Sequence, residues 1–237
     1  MSYELTMFIP CFNERDNILS TLSTIEKALS TYTFNFEILL FNDGSTDDTS
    51  EVALKHALNN NLSCNLRIIN KRTNKGLGHR YLQAAKISGG KYFMLINGDN
   101  VETVSQITNI LNHRGEQDIV IPYFGKNDSR SIYRVYLSKI FTFVINIISG
   151  NRIKYYNGAV LHKTKNLSNL NLRVSGYAYQ CEILCTLIGK GHNYVEVEVK
   201  NSERQWGVSK AFRITNFISV AKSAIRIAKQ RYTNHRI

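Results

Sequence analysis

Four short polar runs, each following an apolar one, carry the side chains best suited to chemistry. The first, Pro10-Cys11-Phe12-Asn13-Glu14, sets an aromatic able to cover a flat base beside a carboxylate at the start of a helical stretch. The same residues also read as a strand stop followed by Asn13 as helix N-cap, with Glu14 favoured by the helix dipole. The second, Asn42-Asp43-Gly44-Ser45-Thr46-Asp47-Asp48-Thr49, offers Asp43 as an acceptor for hydrogen bonds from a nucleobase or ribose. Gly44 permits a tight turn or a close backbone approach. Capping accounts for Thr46 or Asp47 and leaves Asp43 and Gly44 without so simple an explanation. The third, Asn74-Lys75-Gly76-Leu77-Gly78-His79-Arg80, puts glycines and cationic groups ahead of a helix, which suits phosphate. It is neither a P-loop nor a dinucleotide fingerprint, and a plain strand-to-helix turn fits it equally. The fourth, Ile96-Asn97-Gly98-Asp99-Asn100, places a carboxylate where a hard divalent cation can bridge diphosphate oxygens; a solvated Asn-Gly turn is the alternative.

The elements that must position these runs follow from hydropathy. Apolar, β-rich runs at Tyr3–Ile9, Phe36–Phe41, Leu66–Ile69 and Tyr92–Ile96 alternate with helical stretches near Asn17–Ser30, Thr49–Asn59 and His79–Ser88. Such alternation argues for an α/β fold with a mostly parallel sheet and helices on both faces. Ligands in such sheets bind beyond the carboxyl ends of the strands, which is where all four runs fall. The second half is less regular. It reads as a strand at Asp118–Pro122, a polar loop Gly125–Arg130, a helix over Ile132–Ile148, a strand near Tyr155–His162, a helix near Tyr177–Gly189 and a strand at Tyr194–Val199. From Ala211 to Gln230, apolar Ile214, Phe217, Ile218, Ala221, Ile225 and Ala228 recur at helical spacing. No internal repeat or linker divides the chain, so one domain over 1–210 with a C-terminal helix over 211–237 is expected.

The order and spacing of the four runs over Met1–Asn100 resemble the family 2 glycosyltransferases, most nearly the dolichol- and polyprenyl-phosphate sugar transferases, with weaker likenesses to about Lys210. The resemblance implies a GT-A fold, with a Rossmann-like central sheet. It implies an inverting enzyme that takes a sugar from a nucleotide-diphosphate sugar, usually with Mg2+ or Mn2+. On that pattern Pro10, Phe12 and Glu14 border the nucleobase and ribose, and Asn42 and Asp43 match paired acidic positions, Asp43 being the better nucleotide contact. Lys75 and Gly76 join the donor-binding set. Asp99 matches the second carboxylate of an Asp-x-Asp metal motif completed by Asn97 and Gly98. Lys154–Gly158 resembles the segment near the acceptor, and Ser175–Glu182 a stretch that brings Glu182 to the reaction centre; a helix-surface carboxylate is the plainer alternative. Arg204-Gln205-Trp206-Gly207-Val208-Ser209-Lys210 resembles a flexible loop over the diphosphate, in which Arg204 and Lys210 neutralise phosphate charge. Three positions depart from the pattern: Asn42 and Asn97 replace acids, and Val101 stands where a ligating Gln is common.

The implied acceptor is a polyprenyl phosphate or a glycolipid, with Arg130 and Arg134 attracting the phosphate. Transfer to a sugar hydroxyl, with Glu182 as general base, is a second possibility. A nucleotide-binding pseudoenzyme with a degenerate metal motif is a third. The chain has 237 residues and a net charge of +12, from 30 Lys and Arg against 18 Asp and Glu. A hydrophobic content of 43% with two prolines excludes a mostly disordered chain. No helix-turn-helix, aromatic RNA-binding sheet or zinc module accompanies the charge, so nucleic acid is not the expected partner. After Glu203 there is no acidic residue, whereas Arg204, Lys210, Arg213, Lys222, Arg226, Lys229, Arg231 and Arg236 follow. With the apolar stripe, this describes a basic amphipathic helix able to lie on an anionic membrane surface. Ile132–Ile148 could join it there; packing on the domain, or a homo-oligomer contact, is the alternative for both. The longest apolar stretch, Ile140–Gly150, is about half of the roughly 20 residues a spanning helix needs. No secretory signal is evident, and the four cysteines read as reduced and structural. The expected location is cytoplasmic, peripheral at the inner face of the cell membrane.

Overall fold

The computed structural model describes residues 3–60, 65–125, 130–170, 178–200 and 214–234, together with Leu62, Asp128, Leu172 and Gly176; within 214–234, side chains are described at 220–229 and 231. The first half is built of β1 (Tyr3–Cys11), α1 (Arg15–Leu29), β2 (Phe36–Asp43), α2 (Thr49–Asn59), β3 (Leu66–Lys71), α3 (Leu77–Ile87), β4 (Gly90–Leu95) and α4 (Val104–Asn112). The second half adds β5 (Ile119–Phe124), α5 (Ile132–Ser149), β6 (Leu161–Lys163), α6 (Thr164–Ser168), α7 (Tyr179–Gly189), β7 (Tyr194–Val199) and α8 (Ile214–Asn234).

The two-residue period of the strands separates two apolar layers. Leu5, Met7 and Ile9 of β1, with Ile38 and Leu40 of β2, pack on α1, α2 and α4 through Ile18, Leu22, Ala53, Ile107 and Ile110. Phe8, Leu39, Phe41 and Phe93 face the other way and meet Tyr81 of α3 and Ile183, Leu184 and Leu187 of α7. Aromatic contacts knit this second layer: Tyr81 meets Phe93 edge-on with ring centroids 5.1 Å apart, and Phe8 stacks on Phe93 at 5.8 Å.

The sheet order is β3-β2-β1-β4-β6-β5-β7. Short β6 runs antiparallel to both its neighbours, and every other pairing is parallel. The other six strands therefore end on one edge. The chain builds outward from β1 to β3 and then returns to place β4 on the opposite side of β1, so the order reverses between β1 and β4. That boundary is where a doubly wound sheet opens a ligand crevice, and it joins the Pro10–Glu14 run to the Asn97–Asp99 run.

Two segments differ from the sequence reading. Strand pairing near Tyr155–His162 is confined to Leu161–Lys163, because Tyr156 is fully buried with its hydroxyl on Asn146 Oδ1 at 2.8 Å. Gly158 presses so closely on Pro122 that an added Cβ would lie 2.6 Å from Pro122 Cγ. The apolar helix α5 is also longer than the uninterrupted stretch counted from sequence, since Arg134, Ser138 and Lys139 are absorbed within it. Its 18 residues make it, among the described residues, the one helix long and apolar enough by length and composition to cross a membrane. Only Thr142 and Ile145 are buried, while Ile132, Tyr133, Tyr136, Ile140, Phe143 and Ile147 are each at least 58% exposed.

Helix α8 packs across α5 and α7. Ser223 and Ile227 face inward, whereas Ala221 and Ile225, from the stripe recognised in sequence, face outward. Arg231 donates to the carbonyls of Ile147 and Ile148 at 2.9 and 3.2 Å and so caps the C-terminus of α5.

Candidate active site

The β1–α1 and β2–α2 loops are laced together at the sheet edge. Asn13, at φ +57°, accepts from Thr46 N at 2.9 Å, and its own N–H donates to Ser45 Oγ at 2.9 Å. It does not cap α1. Instead the N–H groups of Glu14 and Arg15 are satisfied across the gap by Thr49 Oγ1 and Asp47 Oδ2, at 3.0 and 3.2 Å. Glu14 accepts from Asn17 Nδ2 at 2.8 Å, which orients its carboxylate beside the crevice. Pro10 and Phe12 are half-buried on the same loop.

Asn42 holds the turn that follows β2. Its Oδ1 accepts from Ser45 N at 2.9 Å, and its Nδ2 donates to Ser50 Oγ and Asn70 Oδ1 at 2.7 and 3.0 Å. An aspartate has no hydrogen to give those two oxygens, which accounts for an amide at a position where the resemblance leads one to expect an acid. Gly44 is required twice over: its φ is +80°, and a Cβ would meet the Thr73–Asn74 backbone at 3.1–3.3 Å.

Asp43 organises the third run rather than leaving it open. Its carboxylate accepts from Lys75 N at 3.1 Å, Gly76 N at 3.0 Å and Arg80 Nε at 2.5 Å. Asp43 and Arg80 are 5% and 4% exposed. The amides of Lys75 and Gly76, expected to meet the donor, are turned onto Asp43, while the Lys75 side chain is exposed. Arg80 is the residue whose importance sequence reading underrated; the signal was a third cation at the helix start.

The fourth run meets the first at the switch point. A Cβ on Gly98 would lie 3.0 Å from both Cys11 Sγ and Pro10 O and 3.4 Å from Glu14 Cγ, so only glycine allows the two loops to touch. Negative charge gathers here. Burial pushes the Cys11 thiol well above its ordinary value, and the charges of Glu14, Asp47 and Asp99 push it further. Glu102, a residue that sequence reading passed over, is raised to about 8 by burial and then by Asp99. It accepts from Asn97 N at 3.0 Å and Asn97 Nδ2 at 2.7 Å. A carboxylate and an amide oxygen on one tight turn form a donor set suited to a hard cation, with diphosphate oxygens as the further ligands. Asp99 and Asn97 are the residues of this turn that would hold such a cation.

Other expected residues lie on other elements or are engaged elsewhere, or fall outside the described residues. Glu182 is turned to α8: it is 3% exposed, pairs with Arg226 (Nε 2.8 Å, Nη2 2.5 Å) and accepts a short hydrogen bond from Ser223. A carboxylate holding a guanidinium and a hydroxyl anchors a helix; it does not stand open at a reaction centre. Arg130 is paired bidentately with Asp128 and lies over the rings of Phe124 and Tyr155, at 4.7 and 4.9 Å from their centroids. Arg134 occupies the first turn of α5. Arg204 and Lys210, with their loop, lie outside the described residues.

Comparison with known proteins agrees with this geometry. The chain is 22% identical over 218 residues to a dodecaprenyl-phosphate galacturonate synthase of Rhizobium johnstonii, an alignment covering 88% of this chain and 62% of that protein. The fold is that of glucosyl-3-phosphoglycerate synthase from Mycobacterium tuberculosis, solved with UDP, at a TM-score of 0.72 and 13% identity over 96% of this chain and 80% of the other. A mannosyltransferase of Pyrobaculum calidifontis, solved with GDP-Man and Mn2+, superimposes at a TM-score of 0.68 and 15% identity, covering 99% of this chain and 70% of that one. Both are GT-A glycosyltransferases. The family model for glycosyl transferase family 2 matches residues 6–167, which run from within β1 to within α6 and include all four loops at the switch-point edge, and the chain belongs to that family.

Proposed function

We propose that the chain transfers a sugar from a nucleotide-diphosphate donor to the phosphate of a polyprenyl lipid at the cytoplasmic face of a membrane. The observation that carries this reading is the placement of α5. Its N-terminus follows β5 on the sheet edge that holds the donor loops, and its outer face is apolar and exposed from Ile132 to Ile147. A water-soluble acceptor needs no such face. An acceptor whose phosphate sits at the bilayer surface needs the active-site edge held against that surface.

Each loop then has a task. Phe12, with Pro10 and Glu14, borders the nucleoside, and Asp43 keeps the neighbouring wall rigid through Lys75, Gly76 and Arg80. Asp99 and the Asn97 oxygen hold the cation; Arg204 and Lys210 neutralise the departing diphosphate. When bound, Mg2+ or Mn2+ stabilises the charge that builds on that leaving group. Arg134 attracts the acceptor phosphate. Its oxygen is already anionic and attacks the anomeric carbon in line, with inversion, so little base catalysis is required. The engagement of Glu182 with α8 favours this over transfer to a sugar hydroxyl, which would call on that carboxylate as base.

The test supplies labelled UDP-, GDP-, CDP- and dTDP-sugars with Mn2+ and vesicles containing polyprenyl phosphate, followed by organic extraction. Label entering the organic phase, and failing to do so in chelator, is the expected result. Transfer confined to water-soluble acceptors overturns the lipid reading.

A further inference from the structure

The cation reading of Asp99 and Asn97 leaves one polar group of the same loop without a role. Glu102 is 5% exposed and gives both its oxygens to Asn97, Oε2 to the backbone N–H and Oε1 to Nδ2. The Nδ2 contact fixes which end of the planar Asn97 amide faces Glu102, and the backbone contact holds the carboxyl group beside it. The nitrogen is turned inward. The oxygen, the one atom of that side chain able to ligate a cation, is left on the opposite corner. The rest of the loop is braced independently, since Thr21 Oγ1 donates to Gly98 O at 3.0 Å and Thr24 Oγ1 to Asn100 Oδ1 at 2.9 Å. Glu102 therefore acts on the orientation of one side chain more than on the course of the backbone. An aspartate at position 97 would have no side-chain N–H to give Glu102 Oε1, so Asn97 and Glu102 form a matched pair.

We propose that Glu102 is a positioning residue for the cation site, holding the Asn97 amide with its oxygen presented for ligation. Groups that orient metal ligands in this way commonly govern affinity by one to two orders of magnitude. The inference rests on the proposed cation site and is independent of the lipid acceptor.

The test titrates the full-length chain with Mn2+ alone, read by water-proton relaxation, with urea unfolding alongside. Glu102→Gln is nearly isosteric but brings an NH2 group that can donate to the Asn97 oxygen and turn it inward. Mn2+ binding is expected to weaken about tenfold or more. Asn97→Asp with Glu102 retained should lose stability, because two carboxyl groups then face each other in a buried site without the amide N–H that Glu102 Oε1 accepts. The double variant Asn97→Asp/Glu102→Gln should regain both stability and Mn2+ binding, because a carboxylate has two equivalent oxygens and needs no orienting. A merely structural role for Glu102 would shift the unfolding midpoint and leave Mn2+ affinity alone. Wild-type Mn2+ affinity in Glu102→Gln, or no recovery in the double variant, overturns the proposal, as does a wild-type chain that binds no Mn2+. Failure of sugar transfer with the Mn2+ pattern intact would sink the acceptor reading and leave this one standing.

Discussion

Arg80 reaches Asp43 from α3 and uses its remaining nitrogens on Thr73 O at 2.8 Å and Gln83 Oε1 at 2.9 Å, so the guanidinium is consumed inside the protein. Removing one member of such a buried pair leaves the other charge uncompensated. Arg80→Ala is expected to cost about 3–5 kcal/mol of stability, measured by urea unfolding. Arg80→Lys should recover little of it, because a single ammonium lacks the planar fork that serves three partners at once. Sequence reading had marked Asp43 as chemically interesting for a sound reason, namely that helix capping did not explain it. Its partners were not legible, because Lys75 and Gly76 come from the loop after β3 and Arg80 from α3, and they meet it only when β2 and β3 pair. Asn42 carries the same lesson. As a departure from an acidic pattern it looked like a weakened site, yet its Nδ2 donates to Ser50 and Asn70, and no spacing rule connects those three residues.

Long elements were legible at the next scale and short ones were not. Strands β1, β2 and β4 are near-continuous apolar runs buried on both faces, and their two-residue period survives in the two core layers; β3, at the sheet edge, is only partly covered. Helix α4 escaped notice because its nine residues set Ile107, Ile110 and Leu111 among Ser, Thr and Asn, too few turns for a periodic signal. Strand β6, three residues long, is specified by its neighbours more than by its own composition. A polar cluster ties it down at its far end: Asp118, just before β5, accepts from Lys163 Nζ at 2.7 Å and lies 3.0 Å from His192 Nδ1. The hydrogen bond from Lys163 and then that from His192 hold the Asp118 carboxyl below its ordinary range. A carboxyl with a depressed folded value contributes stability above its unfolded value of about 3.9 and loses it as the pH falls through the folded one. Thermal unfolding between pH 6 and pH 3 should therefore show a steep acid limb. Asp118→Asn should flatten that limb and lower the melting temperature at pH 6; an unchanged acid limb would show that the cluster contributes nothing to the pairing of β6.

For the whole molecule, the net charge of +12 is informative only once the fold has distributed it. One arginine, Arg80, lies buried beneath the loops at the switch-point edge, and another, Arg226, fastens α8 to α7, so neither is available to a partner. Among the described residues, exposed large apolar side chains cluster on the outer face of α5 at Ile132, Tyr133, Tyr136, Ile140, Phe143 and Ile147, and Lys139 is exposed on the same helix. An apolar face with cations beside it is attracted to an anionic bilayer by two terms, burial of the side chains and about 1 kcal/mol for each Lys or Arg near the surface. On the proposed reading this role falls to α5, since α8 is stapled to the domain through Ser223, Arg226 and Ile227 and offers Ile225 as its one large outward apolar side chain among those described. Ile140 and Phe143, 58% and 66% exposed, can be replaced at little cost to folding. Wild-type chain is expected to float with anionic vesicles in a density gradient and to be released as salt rises. Ile140→Asp/Phe143→Asp should stay at the bottom of the gradient with an unaltered unfolding midpoint, whereas Ile225→Asp should reduce flotation only slightly. Equal flotation of wild type and the α5 variant would remove the membrane from the account of this face. Loss confined to Ile225→Asp would return the docking role to α8, where the amphipathic pattern alone had put it.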